Sequence, residues 1–410
     1  MRKVSTRIVC GVAFFLLLGS GAGPASAGHR SPPQHLDDAG TTFLARTVAP
    51  RTGPVRGDDG RIHVLYELWI TNAKALPATI ERIDVLDGSD HARVLLSLTG
   101  ADLATASTRL SGRTAGAGVV PLAQDESRIV LLHLAFDSRR DVPENLIHRV
   151  AGTGAASSAS SAPGPIADLV ARVPLDALNP PELSSPLRGN GWVAMNGCCK
   201  YPGVHRGSLQ AVNGGLEISQ RFAIDWQKLD DQGRFVVGDL KVLRNWAGYD
   251  QPVYSMEDGV VAATGDGLDD LVPGTLPDPS TITIANISGN FIVVDIGRGL
   301  SIFYAHFRKG TLKVRPGDRV RTGQELGRLG NSGNTSGPHL HMHLMNGPSP
   351  LGSSGLPYVL RSFTLTGMID PQQLDAAVDQ SGTWGNRATF SRAGQEARLP
   401  LDLHIVDFRR

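Results

Sequence analysis

The residues of this chain best suited to chemistry are three histidines on alternate positions, His339, His341 and His343. They follow directly on the turn-forming run Gly330-Asn331-Ser332-Gly333-Asn334-Thr335-Ser336-Gly337-Pro338. On an extended strand, alternate side chains share one face at a spacing of roughly 6.6–6.8 Å. The three imidazoles would then point one way, and Leu340, Met342 and Leu344 would face a core. Imidazole is the commonest protein ligand for zinc, so two of them on one side of a rigid strand make half of a metal site. A solvated strand face would more usually carry Thr, Lys or Glu.

The elements that must hold such a cluster are strands. Gly (48) and Pro (26) are abundant, which favours turn-rich β structure, and no long helical period occurs. Partial alternation over His63–Ile70, clear alternation over Thr79–Val85 and the apolar run Arg128–Leu134 suit a small antiparallel sandwich. Further strands are expected at Ala167–Val173, Phe222–Trp226, Gly259–Ala263, Thr281–Ile284, Phe291–Ile296 and Leu300–His306, with a turn at Arg315-Pro316-Gly317-Asp318. The chain is expected to be mainly β. Residues 41–178 would form a β-sandwich-like domain with an Ala/Gly/Ser linker at 151–165. Residues 179–378 would form an antiparallel main domain, and 379–410 a C-terminal β extension.

Residues 1–27 read as a secretory signal: Arg2, Lys3 and Arg7, the apolar run Ile8–Leu18, then Ala25-Ser26-Ala27. A flexible leader over 28–40 would follow. The protein is expected to be secreted or periplasmic, with no membrane span, because no stretch approaches 18 apolar residues. A formal charge of +1 gives no pull toward nucleic acid. After signal removal only Cys198 and Cys199 remain as cysteines. Adjacent thiols in an oxidising compartment can form a vicinal disulfide, stay reduced or pair between chains. A metal-ligand role for them is the less favoured reading. His63, His91, His133 and His148 are scattered and read as ordinary. Asp266, Asp269 and Asp270 lack the spacing of a calcium loop and read as a solvated turn.

From about Trp192 to Met345 the chain resembles the lysostaphin-like zinc metallopeptidases, many of which cut peptide bonds in bacterial peptidoglycan. The resemblance is densest at Ile224-Asp225, from Pro252-Val253 through Asp258-Gly259-Val260-Val261, at Tyr304-Ala305-His306, and over Pro316–His341, which ends in Gly-Pro-His-Leu-His. It implies an antiparallel metallopeptidase domain and one Zn2+ per chain. His341 and Asp225 would be zinc ligands. His339 and His306 would be the catalytic histidines beside the reacting water. The family places a further histidine ligand four residues before the aspartate, where this chain has Arg221. His205 is the nearest upstream histidine. The intervening Gly207–Gln220 would form a hairpin insertion turning at Asn213-Gly214-Gly215, so that His205 reaches the metal from the strand before it. If it does not, His205 is a surface residue and the site lacks a ligand.

Two histidines and one carboxylate are a common catalytic zinc set, with two unligated histidines left for proton transfer and for the oxyanion. The expected function is a secreted zinc endopeptidase acting on peptides, above all those of the cell wall. The alternative, kept open by Arg221, is a catalytically silent relative that binds wall peptides or regulates another hydrolase. No Gly-x-Ser-x-Gly elbow, His-Glu-x-x-His motif or Walker segment is present, which disfavours other hydrolase and nucleotide-binding classes. His343 is expected to support a ligand or to stand by, partly exposed, and not to bind metal. The sandwich, placed upstream, has three open roles: gating the cleft, positioning substrate or binding a partner.

Overall fold

The computed structural model describes residues 39–49, 52–110, 118–157, 159–199, 201, 203–274, 276–371 and 387–409. The signal and nearly all of the leader expected at the N-terminus lie outside the described residues. Strands dominate, and helix is confined to short pieces such as Gly100–Ala106. Among the described residues no helix is long and apolar enough to cross a membrane.

Two five-stranded antiparallel sheets make a sandwich. One runs Phe43–Thr47, Ile62–Asn72, Ser127–Phe136, Ser107–Thr108, with Val55–Arg56 beside Ile62–Asn72. The other runs Gly164–Pro174, Asn145–Gly154, Ala78–Asp87, Val94–Thr99, with Val120–Leu122 beside Ala78–Asp87. Ile62, Val64, Tyr66, Leu68 and Ile70 enter the core between the sheets with Ile80, Ile83, Val130, Leu132 and Val150. The odd-numbered residues of the same strand face the other way, and of these His63, Leu65 and Glu67 are buried too, with Trp69 and Thr71 half-buried. Leu65 joins the core of the following domain, Trp69 packs with Leu209 and Ile218, and Glu67 is fully buried. Burial on both faces is why the alternation over His63–Ile70 is only partial in sequence.

The segment expected as a linker is a hairpin within this sandwich. Residues 151–154 and 164–167 continue the pairing of Asn145–Gly154 with Gly164–Pro174. Its small residues answer a packing need: a Cβ at Gly152 would lie 1.9 Å from the Thr79 carbonyl oxygen. The Thr281–Ile284 strand does not form. Pro279–Thr281 is a 3-10 turn, capped by Asp278 accepting from the Ser280 N–H at 2.9 Å, and Ile284 is 74% exposed. Local side-chain bonds from Asp278 and Asn286 outcompete β-propensity where no partner strand lies alongside.

A third sheet has twelve strands, ten on one path, with Gly355–Leu356 beside Leu340–Met345 and Arg387–Arg398 beside Val359–Ile369. Its path runs Glu182–Leu183, Val359–Ile369, His404–Phe408, Gly189–Met195, Ile224–Lys228, Leu340–Met345, Leu300–Phe307, Asn290–Gly297, Gly259–Gly265, Arg319–Val320. The C-terminal strand His404–Phe408 is thus an internal member of the sheet. Trp192, Ile224, Trp226, Tyr304, Leu340, Met342 and Leu344 form the core on one face. The expected insertion is present as the hairpin Gln210–Val212 and Gly215–Glu217, with Asn213 (φ 51°) and Gly214 (φ 80°) at its turn.

The insertion is tied to the sandwich through Glu67. Arg221 Nε lies 3.0 and 2.9 Å from the two Glu67 oxygens, and Arg206 Nη2 lies 3.5 Å from Oε1. All three side chains are nearly or fully buried. Burial favours the neutral acid, but Arg221 and then Arg206 outweigh it and hold the Glu67 pKa below its ordinary value. Removing one partner of a buried ionic group leaves uncompensated charge in a medium that solvates it poorly. Glu67→Gln is therefore expected to cost about 3–5 kcal/mol of unfolding free energy, measured by urea denaturation. A loss below about 1 kcal/mol would show that the carboxylate charge is not needed there.

Candidate metal centre

Sheet register brings the candidate residues together. Asp225 on Ile224–Lys228 pairs with His341 on Leu340–Met345, and His341 pairs on its other side with Ala305, next to His306. Leu340, Met342 and Leu344 point into the core, and His341 and His343 take the opposite face, as period-2 alternation requires. His205 arrives from the loop before the insertion. One donor atom each from His205, Asp225 and His341 lies within 4.8 Å of the other two, and all three residues are buried.

The contacts converge on the Asp225 carboxylate. His341 Nδ1 is 2.8 Å from Oδ1, His205 Nε2 is 3.2 Å from Oδ2, and His339 Nε2 is 3.4 Å from Oδ1. Asn196, which the sequence did not single out, donates from Nδ2 to Oδ2 at 2.8 Å. Nothing in its local sequence marks it; only the fold brings it to the acid.

Each ring is oriented from behind. A carbonyl oxygen can only accept, so the nitrogen facing it carries the proton. His205 Nδ1 donates to Ala223 O (3.1 Å), His306 Nδ1 to Ser332 O (2.7 Å) and His339 Nδ1 to Gly337 O (2.9 Å). In the neutral form all three are left with an unprotonated Nε2. The turn before the histidines supplies two of these carbonyls, and its Asn331, Ser332 and Thr335 are buried. Ser332 Oγ donates to Phe307 O, and Thr335 Oγ1 bonds Asn331 Oδ1 and contacts His339 Nδ1. Its close approach depends on glycine: a Cβ at Gly289 (φ 61°) would lie 2.1 Å from Ser332 O. His306 also sits in the left-handed region, at φ 67°.

His341 is held the other way round, with Nε2 3.0 Å from His343 Nδ1. His343 is 1% exposed, which excludes the exposed-bystander reading, and its own Nε2 has no hydrogen-bond partner. With a cation between His341 Nδ1 and the carboxylate, an Nε2–H donated to His343 would fix the ring.

The donor set fits a divalent cation. Imidazole lone pairs and carboxylate oxygens that face one another need a proton or a cation between them. Burial disfavours charge on His205 and His339, yet Asp225 carries both pKa values above the ordinary imidazole value. Burial alone would raise the Asp225 pKa, but His205 and His339 hold it well below the carboxylate range. His306 differs. Burial first, then His339 and His341, push its pKa well below normal, so it is neutral. Its ring centroid is 4.6 Å from that of His339.

These residues line an open cleft of about 280 Å³ that includes His205, Asp225, His306, His339, His341 and His343. Among the described residues lining it, none comes from 41–178. Arg221, four residues before Asp225, is turned to Glu67 and Gly355 O and does not line the cleft. Asp270 accepts from Tyr249 OH and Asn331 N–H, so part of the acidic cluster at 266–270 braces the turn and is not merely solvated.

The profile described as Peptidase family M23 matches residues 245–352, which include His306, His339 and His341 but not His205 or Asp225. Over 94 residues, 23% of this chain, the sequence is 32% identical to the peptidoglycan DD-endopeptidase ShyA of Vibrio cholerae. The aligned part is 17% of that relative's length. Among solved structures, the M23 metalloprotease pseudoalterin, described as from the deep sea, is 20% identical, with 43% of this chain and 75% of that one covered at a TM-score of 0.25. The antimicrobial peptidase lysostaphin from Staphylococcus simulans is 18% identical, with 41% and 53% covered at a TM-score of 0.22. Residues 245–352 of this chain thus form a domain matching peptidase family M23.

If His343 orients His341, then His343→Ala should weaken divalent-metal retention about 10- to 100-fold, read by competition with a chromogenic chelator. Unchanged retention would make His343 a packing residue only.

Proposed function

We propose that this chain is an exported zinc-dependent endopeptidase that hydrolyses peptide bonds in peptidoglycan or related cell-wall peptides. The observation that carries the reading is the meeting of His205, Asp225 and His341 within 4.8 Å, beside the His306–His339 pair, in a domain of family M23. The activity printed for the Vibrio cholerae relative supports the choice of substrate class, and the secretory pattern of residues 1–27 supports export.

In this reading His205, Asp225 and His341 hold one zinc ion. When bound, zinc supplies Lewis-acid polarisation of the scissile carbonyl and a water acidic enough to react near neutral pH. Amide hydrolysis also needs a proton taken from the attacking water and one delivered to the departing amine. His306 and His339 are suited to both tasks. Each spends its Nδ1–H on a backbone carbonyl, which leaves Nε2 as the exchanging nitrogen. His306, kept neutral, accepts a proton or hydrogen-bonds the developing oxyanion once protonated. His339, with Nε2 3.4 Å from Asp225, stands beside the ligand set and is placed to deliver a proton to the amine. The cleft is open, in keeping with a polymeric substrate that must enter laterally.

The alternative, a silent relative that binds wall peptides, predicts the same fold without turnover. Measuring zinc content and the release of soluble peptides from purified sacculi separates the two, and chelation should abolish that release. His205→Ala should lower zinc retention by more than the about 100-fold typical of losing a supporting partner, and turnover should fall with it. Stoichiometric zinc in His205→Ala would reject the ligand set. Full zinc without turnover on any wall peptide would favour the silent reading.

A further inference from the structure

Away from the cleft, a second group of metal-capable side chains lies in the seam between the sandwich and the peptidase domain. His63 and His133 stand on the adjacent strands Ile62–Asn72 and Ser127–Phe136, one residue pair out of register and on the same outward face. Their rings stack at 5.3 Å, with His63 Nδ1 3.0 Å from His133 Nε2. Cys199, from the loop after strand Gly189–Met195, meets them. One donor atom from each of the three lies within 4.8 Å of the others, and His63 (4% exposed) and Cys199 (8%) are buried. Behind His63, Asp59 Oδ1 sits 3.1 Å from Nε2. A carboxylate only accepts, so Nε2 carries the proton and Nδ1 presents its lone pair toward the cluster. A carboxylate behind a histidine is the arrangement that orients imidazole ligands in metal sites. Two imidazoles and a thiolate suit zinc and its chemical neighbours. Arg206, the guanidinium that contacts the Cys199 carbonyl, shares the single Glu67 carboxylate with Arg221, so a thiolate at Cys199 would have a cationic neighbour.

Cys199 is joined to Cys198 by a disulfide, which occupies its sulfur. The ligand set is complete only with that bond open. We infer that reduction of the Cys198–Cys199 disulfide by a dithiol turns His63, His133 and Cys199 into a second, redox-gated site for a zinc-class divalent ion. The dithiol gives two electrons and two protons and becomes its own disulfide, and Cys198 and Cys199 become thiols. Metal binding then releases the Cys199 proton to solvent. The ion would clamp the sandwich to the peptidase domain, since two ligands come from one and the third from the other. None of the three residues falls within the matched segment 245–352.

Co2+ is the probe for the full mature chain from residue 28 onward, whose only cysteines are Cys198 and Cys199, because a thiolate-to-cobalt charge-transfer band can arise at this site but not from the sulfur-free set of the cleft. With the disulfide intact the band should be absent. After treatment with a dithiol and its anaerobic removal, the band should appear with one additional equivalent of Co2+ per chain. Cys198→Ser should give band and extra equivalent without reductant. Cys199→Ser should give neither under any condition, and His133→Ala should lose the extra equivalent after reduction. No band in the reduced wild-type chain overturns the inference. So does a band that persists undiminished in His133→Ala, which would mean that the two thiols bind metal alone. The cleft's occupancy, read as the equivalent without sulfur absorption, stands or falls separately.

Discussion

The Asp225 carboxylate is the constraint on which the main domain turns. It is buried, and nitrogens of His205, His339 and His341 all lie within 3.4 Å of it. A bare carboxylate in such surroundings is costly unless matched by positive charge and hydrogen bonds. The matching groups come from distant parts of the chain, and only the cross-strand register of Asp225 with His341 is local to the sheet. The loop to His205, the largely buried turn at 331–337 and the strand Leu300–Phe307 that carries His306 must then all be placed to within about an ångström for the chemistry to work. Backbone carbonyls do much of that work. Ala223, Ser332 and Gly337 each take one imidazole proton and so decide which nitrogen is left over.

A second buried acid does for the scaffold what Asp225 does for the site. Glu67 lies on the sandwich and pairs with Arg206 and Arg221. Arg206 is next to His205, and Arg221 closes the insertion four residues before Asp225. The two ends of the insertion are therefore fixed to a neighbouring domain, and His205 is held by that anchorage as much as by its own bond to the Ala223 carbonyl. A histidine ligand displaced along the chain by an inserted hairpin needs some such external reference, because the hairpin itself makes only a three-residue ladder.

The parts of this arrangement that were legible in the sequence were those governed by short-range rules. Alternation put His341 and His343 on one face and Leu340, Met342 and Leu344 on the other, and Asn213-Gly214 marked the insertion's turn. What the sequence did not reveal was set by partners far along the chain. Arg221 stood out only as a departure from a motif; its partner Glu67 is 154 residues away. Asn196 and Ser332 act through an acid and a ring that only the folded sheet brings near. His63 and His133 read as ordinary because they are 70 residues apart and their common neighbour is on another domain. The errors were of the same kind. Thr281–Ile284 had strand propensity but no strand to join, and the Ala/Gly/Ser run at 151–165 looked like a linker because its packing demand, the Thr79 carbonyl at Gly152, is invisible in one dimension.

These two buried acids also fix what the sandwich can do. A gate must lie over the opening it closes, and no described residue of 41–178 lines the cleft. The sandwich meets the peptidase domain where Leu65 enters the main core, Glu67 takes both arginines and Trp69 packs on the insertion. Arg206 adjoins His205 in the chain, and His205 lines the cleft, so the seam bears on where that imidazole sits.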